Sequence, residues 1–161
     1  MKKSSIEISY QQFVLSDLSN EELTLREVAF AASKKAYAPY STFYVGASVL
    51  LSTGIIIPGN NQENAAFPSG LCAERVALFH AGSLHPGIPV KAIGITIDYE
   101  RCPQVDMAYP CGGCRQVMAE YELISERPIH IYLFGNREQG IRIEGVTNLL
   151  PFSFMGNFLQ K

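Results

Sequence analysis

Val90-Lys91-Ala92-Ile93-Gly94-Ile95-Thr96-Ile97 is an almost unbroken apolar run. It reads as a central strand covered on both faces, where apolar residues need not alternate with polar ones. Outward from it, helix signals lie on either side. A helix is predicted over residues 71–81, closed by Gly82, and another from near Pro110, which suits a first helical position, to about Tyr121. Upstream, Ser19 and Glu22 form a capping-box pattern that opens a helix running through Ala36, and Pro39 ends it. Residues 42–51 are rich in β-branched and aromatic side chains, and Thr53-Gly54 turns them into Ile55-Ile56-Ile57 as a hairpin. Residues 129–134 and 141–146 are expected as strands around a turn at 136–140. Ile6-Glu7-Ile8-Ser9-Tyr10 alternates and is expected as a short strand. Strands alternate with helices from the middle onward, which predicts an α/β domain with one sheet and helices on its faces.

Composition leaves few competing classes. The 161 residues are 47% hydrophobic and 17% charged, enough for one domain with its own core. A net charge of -2 gathers no polyanion, so a small substrate is expected rather than nucleic acid. No apolar run approaches the length of a membrane span, and Met1-Lys2-Lys3-Ser4-Ser5 is not followed by one that would make a secretory signal. Four cysteines in such a chain read as metal ligands or free thiols, and the expected compartment is the cytoplasm.

The chemistry concentrates in Cys72-Ala73-Glu74 and Pro110-Cys111-Gly112-Gly113-Cys114. Structural zinc sites close with four protein ligands, whereas catalytic ones keep three and leave a position for water or substrate. Cys72 falls at one predicted helix start, and Cys111 and Cys114 share a face at another. Helix N-termini favour thiolates. Three thiolates on Zn²⁺ leave a net negative charge, so a cation is expected nearby; Arg75 and Arg115 are the candidates. Glu74 beside such a centre reads as a general base. Other readings stay open. A Cys-x-x-Cys pair also serves redox chemistry, though Cys72-Ala73-Glu74 would then be unexplained. A closed structural site would need a fourth ligand from Cys102, His80, His85 or His130, of which Cys102 is the closest rival.

Taken together, Cys72-Ala73-Glu74-Arg75-Val76-Ala77-Leu78 and Pro110-Cys111-Gly112-Gly113-Cys114-Arg115-Gln116-Val117 resemble the short, single-domain cytidine deaminases. Ala38-Pro39-Tyr40-Ser41-Thr42-Phe43-Tyr44-Val45-Gly46-Ala47, Asn61-Gln62-Glu63-Asn64-Ala65 and Leu149-Leu150-Pro151 with Phe154 are similar to that family's other segments, in its order. Cysteine rather than histidine at position 72 points to the nucleoside branch.

The resemblance implies a three-layer α/β/α fold with a mixed five-stranded sheet, formed by residues 19–161 behind an N-terminal extension of residues 1–18. It implies one zinc per chain on Cys72, Cys111 and Cys114, and a water that attacks C4 of cytidine or deoxycytidine. Glu74 would move protons from that water to N3 and to the leaving ammonia, in a role suited to pyrimidine salvage. The Ala73 backbone would hold the base edge, Phe43 would lie against the base, and Asn61 and Glu63 would bind the ribose. Arg75 would support the thiolates. The family is homotetrameric, and Phe154 would reach a neighbouring subunit's site. Gln62, Phe67 and Pro151-Phe152-Ser153-Phe154 depart from the family's usual residues, which weakens the carry-over most at Phe154. Competing functions are deamination of a modified nucleoside such as blasticidin S and a non-catalytic zinc module.

Overall fold

In a computed structural model describing residues 1–136 and 138–159, six strands form one sheet. They are β1 (Gln11–Val14), β2 (Val45–Leu51), β3 (Ile56–Asn60), β4 (Val90–Ile97), β5 (His130–Phe134) and β6 (Gln139–Glu144), in the order β1-β6-β5-β4-β2-β3. Only β4 and β5 run parallel; the other neighbouring pairs are antiparallel. Three helices, α1 (Asn20–Ser33), α2 (Ala73–Leu84) and α3 (Gly112–Ser125), cover the sheet.

The period-2 geometry of strands sorts the core into two layers. Val49, Ile93, Ile95, Ile131 and Leu133 point to one face and pack with Ala77 and Leu78 of α2 and Met118 of α3. Leu50, Ala92, Tyr132 and Phe134 point to the other and meet Leu25 of α1 and Phe13. The architecture is therefore the expected three-layer α/β/α. The apolar run at Val90–Ile97 is the strand it was read as, with every residue but Lys91 buried. Ser19 caps α1 as its pattern predicts: its hydroxyl accepts from Glu22 N–H, and Glu22 Oε2 accepts from Ser19 N–H at 2.7 Å.

Four expectations need correction. The sheet has six strands rather than five, and the first lies at Gln11–Val14 rather than at residues 6–10. Alternation alone does not hold a strand in place; a buried anchor does. Ile6, Ile8 and Tyr10 are all exposed, whereas Phe13 is buried against Tyr132 and Phe134 at centroid distances of 6.1 and 5.9 Å. Phe13 pairs with Gly140, where any Cβ would collide with its ring, so the glycine makes the seat for the aromatic. The other two concern helix ends. Gly82 does not end α2: the helix continues to Leu84, and Gly82 is the point where Tyr121 of α3 crosses without room for a side chain. α1 stops at Ser33, short of Ala36. Among the described residues, no helix is long and apolar enough to cross a membrane.

Candidate active site

The sheet register explains why distant cysteines meet. The chain leaves β3 after Asn60 and β4 after Ile97, and these ends face Gly46 and Val45 at the start of β2. Both connections therefore emerge at one edge of the sheet, and each leads into a helix. Cys72 is the N-cap of α2 and Cys111 the N-cap of α3, with Cys114 in the first turn. Neither N-cap side chain bonds its own helix, so the positive ends of both helices face the sulfurs. The three Sγ atoms lie within 4.8 Å of one another; Cys72 and Cys111 are 3.8 Å apart, Cys111 and Cys114 3.4 Å. Thiolates about 2.3 Å from a tetrahedral zinc would stand roughly 3.8 Å apart, so the donor set suits that ion.

Cys102 is not a fourth donor. It is wholly buried, stands outside the cluster, and its thiol donates to the Thr42 carbonyl at 3.4 Å. His80, His85 and His130 also lie outside it. The site thus offers three ligands from the described residues.

A hydrogen bond from Cys114, helped by Arg75, pulls the Cys72 thiol down to about 5 against the effect of burial. The same bond and burial push Cys114 up. Arg75 Nη2 sits 3.9 Å from Cys72 Sγ and 3.5 Å from the Gly70 carbonyl, while its buried Nε finds no partner among the described residues. A guanidinium with an unspent donor beside three thiols is what a negatively charged metal–thiolate centre requires. Arg115 behaves differently. It donates to the carbonyls of Pro110 at 2.8 Å and Leu149 at 2.9 Å, tying the start of α3 to the segment after β6. Glu74, in the first turn of α2, is only 4% exposed. Burial, reinforced by the Cys72 charge, raises its carboxyl to about 7 against opposing bonds from its own N–H and Cys114.

The other candidate residues lie on segments bonded to the chain that leads into Cys72. Asn61-Gln62-Glu63 is stitched between Tyr37 and Leu71 by backbone bonds, directly before Cys72. Asn61 Oδ1 accepts from Val45 N–H and its Nδ2 donates to the Phe43 carbonyl, both at 2.8 Å. Glu63 Oε2 accepts from the N–H groups of Tyr40 at 2.9 Å and Ser41 at 3.3 Å, and bonds from Ser41 and Tyr40 hold its carboxyl below its ordinary value despite some burial. Gln62 points elsewhere, to Asn60. Phe43 is half-buried and packs on the main core. Ala73 is buried at the start of α2. Phe154 lies on the segment after β6, 61% exposed, and its carbonyl accepts from Gln116 of α3.

Asp98 and Arg101 were missed in reading the sequence. Asp98 is a buried acid at the end of an apolar strand, which is a signal in itself, since such groups are seldom buried unpaired. Two cavities among the described residues lie elsewhere: one of about 390 Å³ is lined by Phe13, Met107 and Tyr109, and one of about 240 Å³ by Ala81, His85 and Tyr121.

Comparison with known proteins places this arrangement. Residues 19–130 match the family model described as the cytidine and deoxycytidylate deaminase zinc-binding region. A cytidine deaminase of Halalkalibacterium halodurans is 40% identical over 135 residues, covering 84% of this chain and 94% of that protein. The crystal structure of cytidine deaminase from Burkholderia pseudomallei superposes with a TM-score of 0.69 at 35% identity, covering 85% of this chain and all of that one. That of the Mycobacterium tuberculosis enzyme gives 0.65 at 28% identity, covering 84% and 98%.

Proposed function

Because this chain belongs to the cytidine deaminase family, we propose that it hydrolyses cytidine and deoxycytidine to uridine and deoxyuridine with release of ammonia. The observation that carries the reading is Glu74, a buried carboxyl in the first turn of α2 beside three thiols for which the described residues offer no fourth ligand. A closed structural site has no use for such a group. Zinc on Cys72, Cys111 and Cys114 supplies Lewis acidity, which brings the pKa of water toward neutrality.

The chain's own residues do the rest. Glu74 takes a proton from the attacking water and delivers it to N3 of the pyrimidine; water oxygen joins C4. Glu74 then takes the proton of the new C4 hydroxyl and passes it to the amino group; the C4–N4 bond breaks as the C4 carbonyl forms, and ammonia leaves. Burial raises the carboxyl above its ordinary value, which favours accepting and returning that proton. The backbone at Ala73 lies at the free N-terminus of α2, where it can hold the polar base edge. Phe43 lies against the base, and Asn61 and Glu63 take the ribose hydroxyl. Arg75 offsets the thiolate charge. The expected assembly is a homotetramer, for which the exposed Phe152 and Phe154 supply apolar contacts. A cytoplasmic enzyme of pyrimidine salvage fits these properties.

The test is Glu74→Gln in zinc-loaded protein. One zinc per chain should remain while kcat falls by about 10²–10⁴. An unchanged rate, or no turnover by the unmutated protein with zinc bound, sinks the reading. Free cytosine and blasticidin S in the same assay define the substrate class, and sedimentation equilibrium gives the assembly.

A further inference from the structure

Thr42-Phe43-Tyr44, the segment bearing the proposed base platform, is gripped from behind by a turn that the reaction does not use. After β4 the chain turns through residues 98–102. Asp98 N–H donates to the Tyr44 carbonyl at 2.9 Å, and its buried carboxylate takes Lys34 Nζ at 2.7 Å and Arg101 Nε at 2.5 Å. The Arg101 guanidinium lies 3.6 Å from the centroid of the Tyr44 ring. Its Nη2 donates to the carbonyls of Ser33 at 3.0 Å and Lys34 at 3.1 Å, at the end of α1. Cys102 donates its thiol to the Thr42 carbonyl. The turn therefore holds the residues on both sides of Phe43.

The held backbone is unusual. Thr42 has φ of 55°, a left-handed conformation that β-branched residues rarely adopt. Such a residue persists where its surroundings over-determine it, and functional sites are where this recurs. On the substrate side, Asn61 fixes the Phe43 carbonyl and Ser41 Oγ accepts from Phe43 N–H at 3.0 Å. On the far side the 98–102 turn does this work through side chains.

We propose that Arg101 and Cys102 are positioning residues for the pyrimidine: they fix the peptides flanking Phe43, so its ring is set against the base before substrate arrives. The inference rests on the reading of Phe43 as a base platform. A platform touches the base in ground and transition states alike, so loosening it weakens binding more than the chemical step.

Steady-state kinetics with cytidine on the full-length, zinc-loaded protein test this, with zinc content and thermal midpoint recorded for each variant. Cys102→Ala and Arg101→Ala should raise KM about five- to tenfold with kcat within about twofold. Cys102→Ser supplies an O–H donor and should restore KM. Arg101→Lys should not, because an ammonium offers neither a planar face nor a fork for two carbonyls. Phe43→Ala should raise KM by itself, and adding Cys102→Ala should raise it no further, since both act through one ring. A purely structural role would lower the midpoint and leave KM alone, and that result overturns the proposal. So does full additivity of the Phe43 and Cys102 substitutions. If Arg101→Ala does not fold, the Cys102 pair decides. Absence of cytidine turnover in the unmutated protein defeats the proposed function and this inference together; normal turnover with an unmoved KM defeats this inference alone.

Discussion

At the scale of single residues, side chains that mark the site also hold the backbone. Asn61 resembles a ribose reader in sequence; in the structure its amide ties Phe43 to Val45 from both ends. Asn61→Ala leaves that N–H and C=O without partners, so it should cost about 1–3 kcal/mol in urea unfolding and raise KM as well. A loss confined to KM would mean that the clamp contributes nothing. Asp98 works electrostatically. Burial alone would push its carboxyl up, but Lys34 and Arg101 outweigh burial and hold it below its ordinary value. An acid with a depressed folded pKa stabilises the fold above its unfolded value of about 3.9 and loses that contribution as pH falls through the folded one. Asp98→Asn should therefore lose about 1–3 kcal/mol at pH 7, and its deficit should shrink on acidification below about pH 4. A deficit independent of pH would rule out the ion pairs as its source. The motif cysteines were legible because spacing and residue type alone identify a donor set. Asp98 and Arg101 were not, because their partners Lys34 and Tyr44 are far away in sequence.

At the scale of elements, the site depends on where two helices begin. Their starts were readable from Ser/Pro/Cys positions and apolar periodicity, but their placement against the sheet was not. Gly59 of β3 shows why. A Cβ there would stand 2.7 Å from the Ala73 carbonyl and 2.7 Å from the Ala77 Cα, both backbone atoms that cannot swing aside. Gly59→Ala should push the first turns of α2 off the sheet, at about 1–3 kcal/mol, and carry Cys72 away from its partners. Metal content after dialysis against a weak chelator should fall well below one zinc per chain; unchanged occupancy would show that α2 adapts. Gly82 carries the same lesson. Its composition signal says helix end, but the crossing of Tyr121 makes it a contact position inside the helix.

At the scale of the molecule, the six-stranded sheet separates stability from chemistry. β1 adds an edge strand and the Phe13 seat, while the candidate site residues lie on α2, α3 and residues 43–63. Deleting residues 1–14 should lower stability by about 3 kcal/mol, the scale of removing one buried phenylalanine, and leave zinc content and KM for cytidine unchanged. A shifted KM would place β1 in the site. Neither the edge strand's position nor the order β1-β6-β5-β4-β2-β3 followed from local pattern, since pairing depends on side chains distant in sequence.

The amino-acid sequence by itself determined the three thiols, the adjacent carboxyl, the helix starts that carry them and the α/β class. Those depend on residue chemistry and on periodicity within a few turns of chain. Only the tertiary structure decided that Cys102 bonds Thr42 instead of joining the cluster, that Arg75 rather than Arg115 faces the sulfur, and that β3 and β4 end at one edge. The reason is register. Which residues stand opposite one another in a sheet is set by packing across the whole core, and a single-residue shift would carry Asn60 and Ile97, with the helices that follow them, out of alignment.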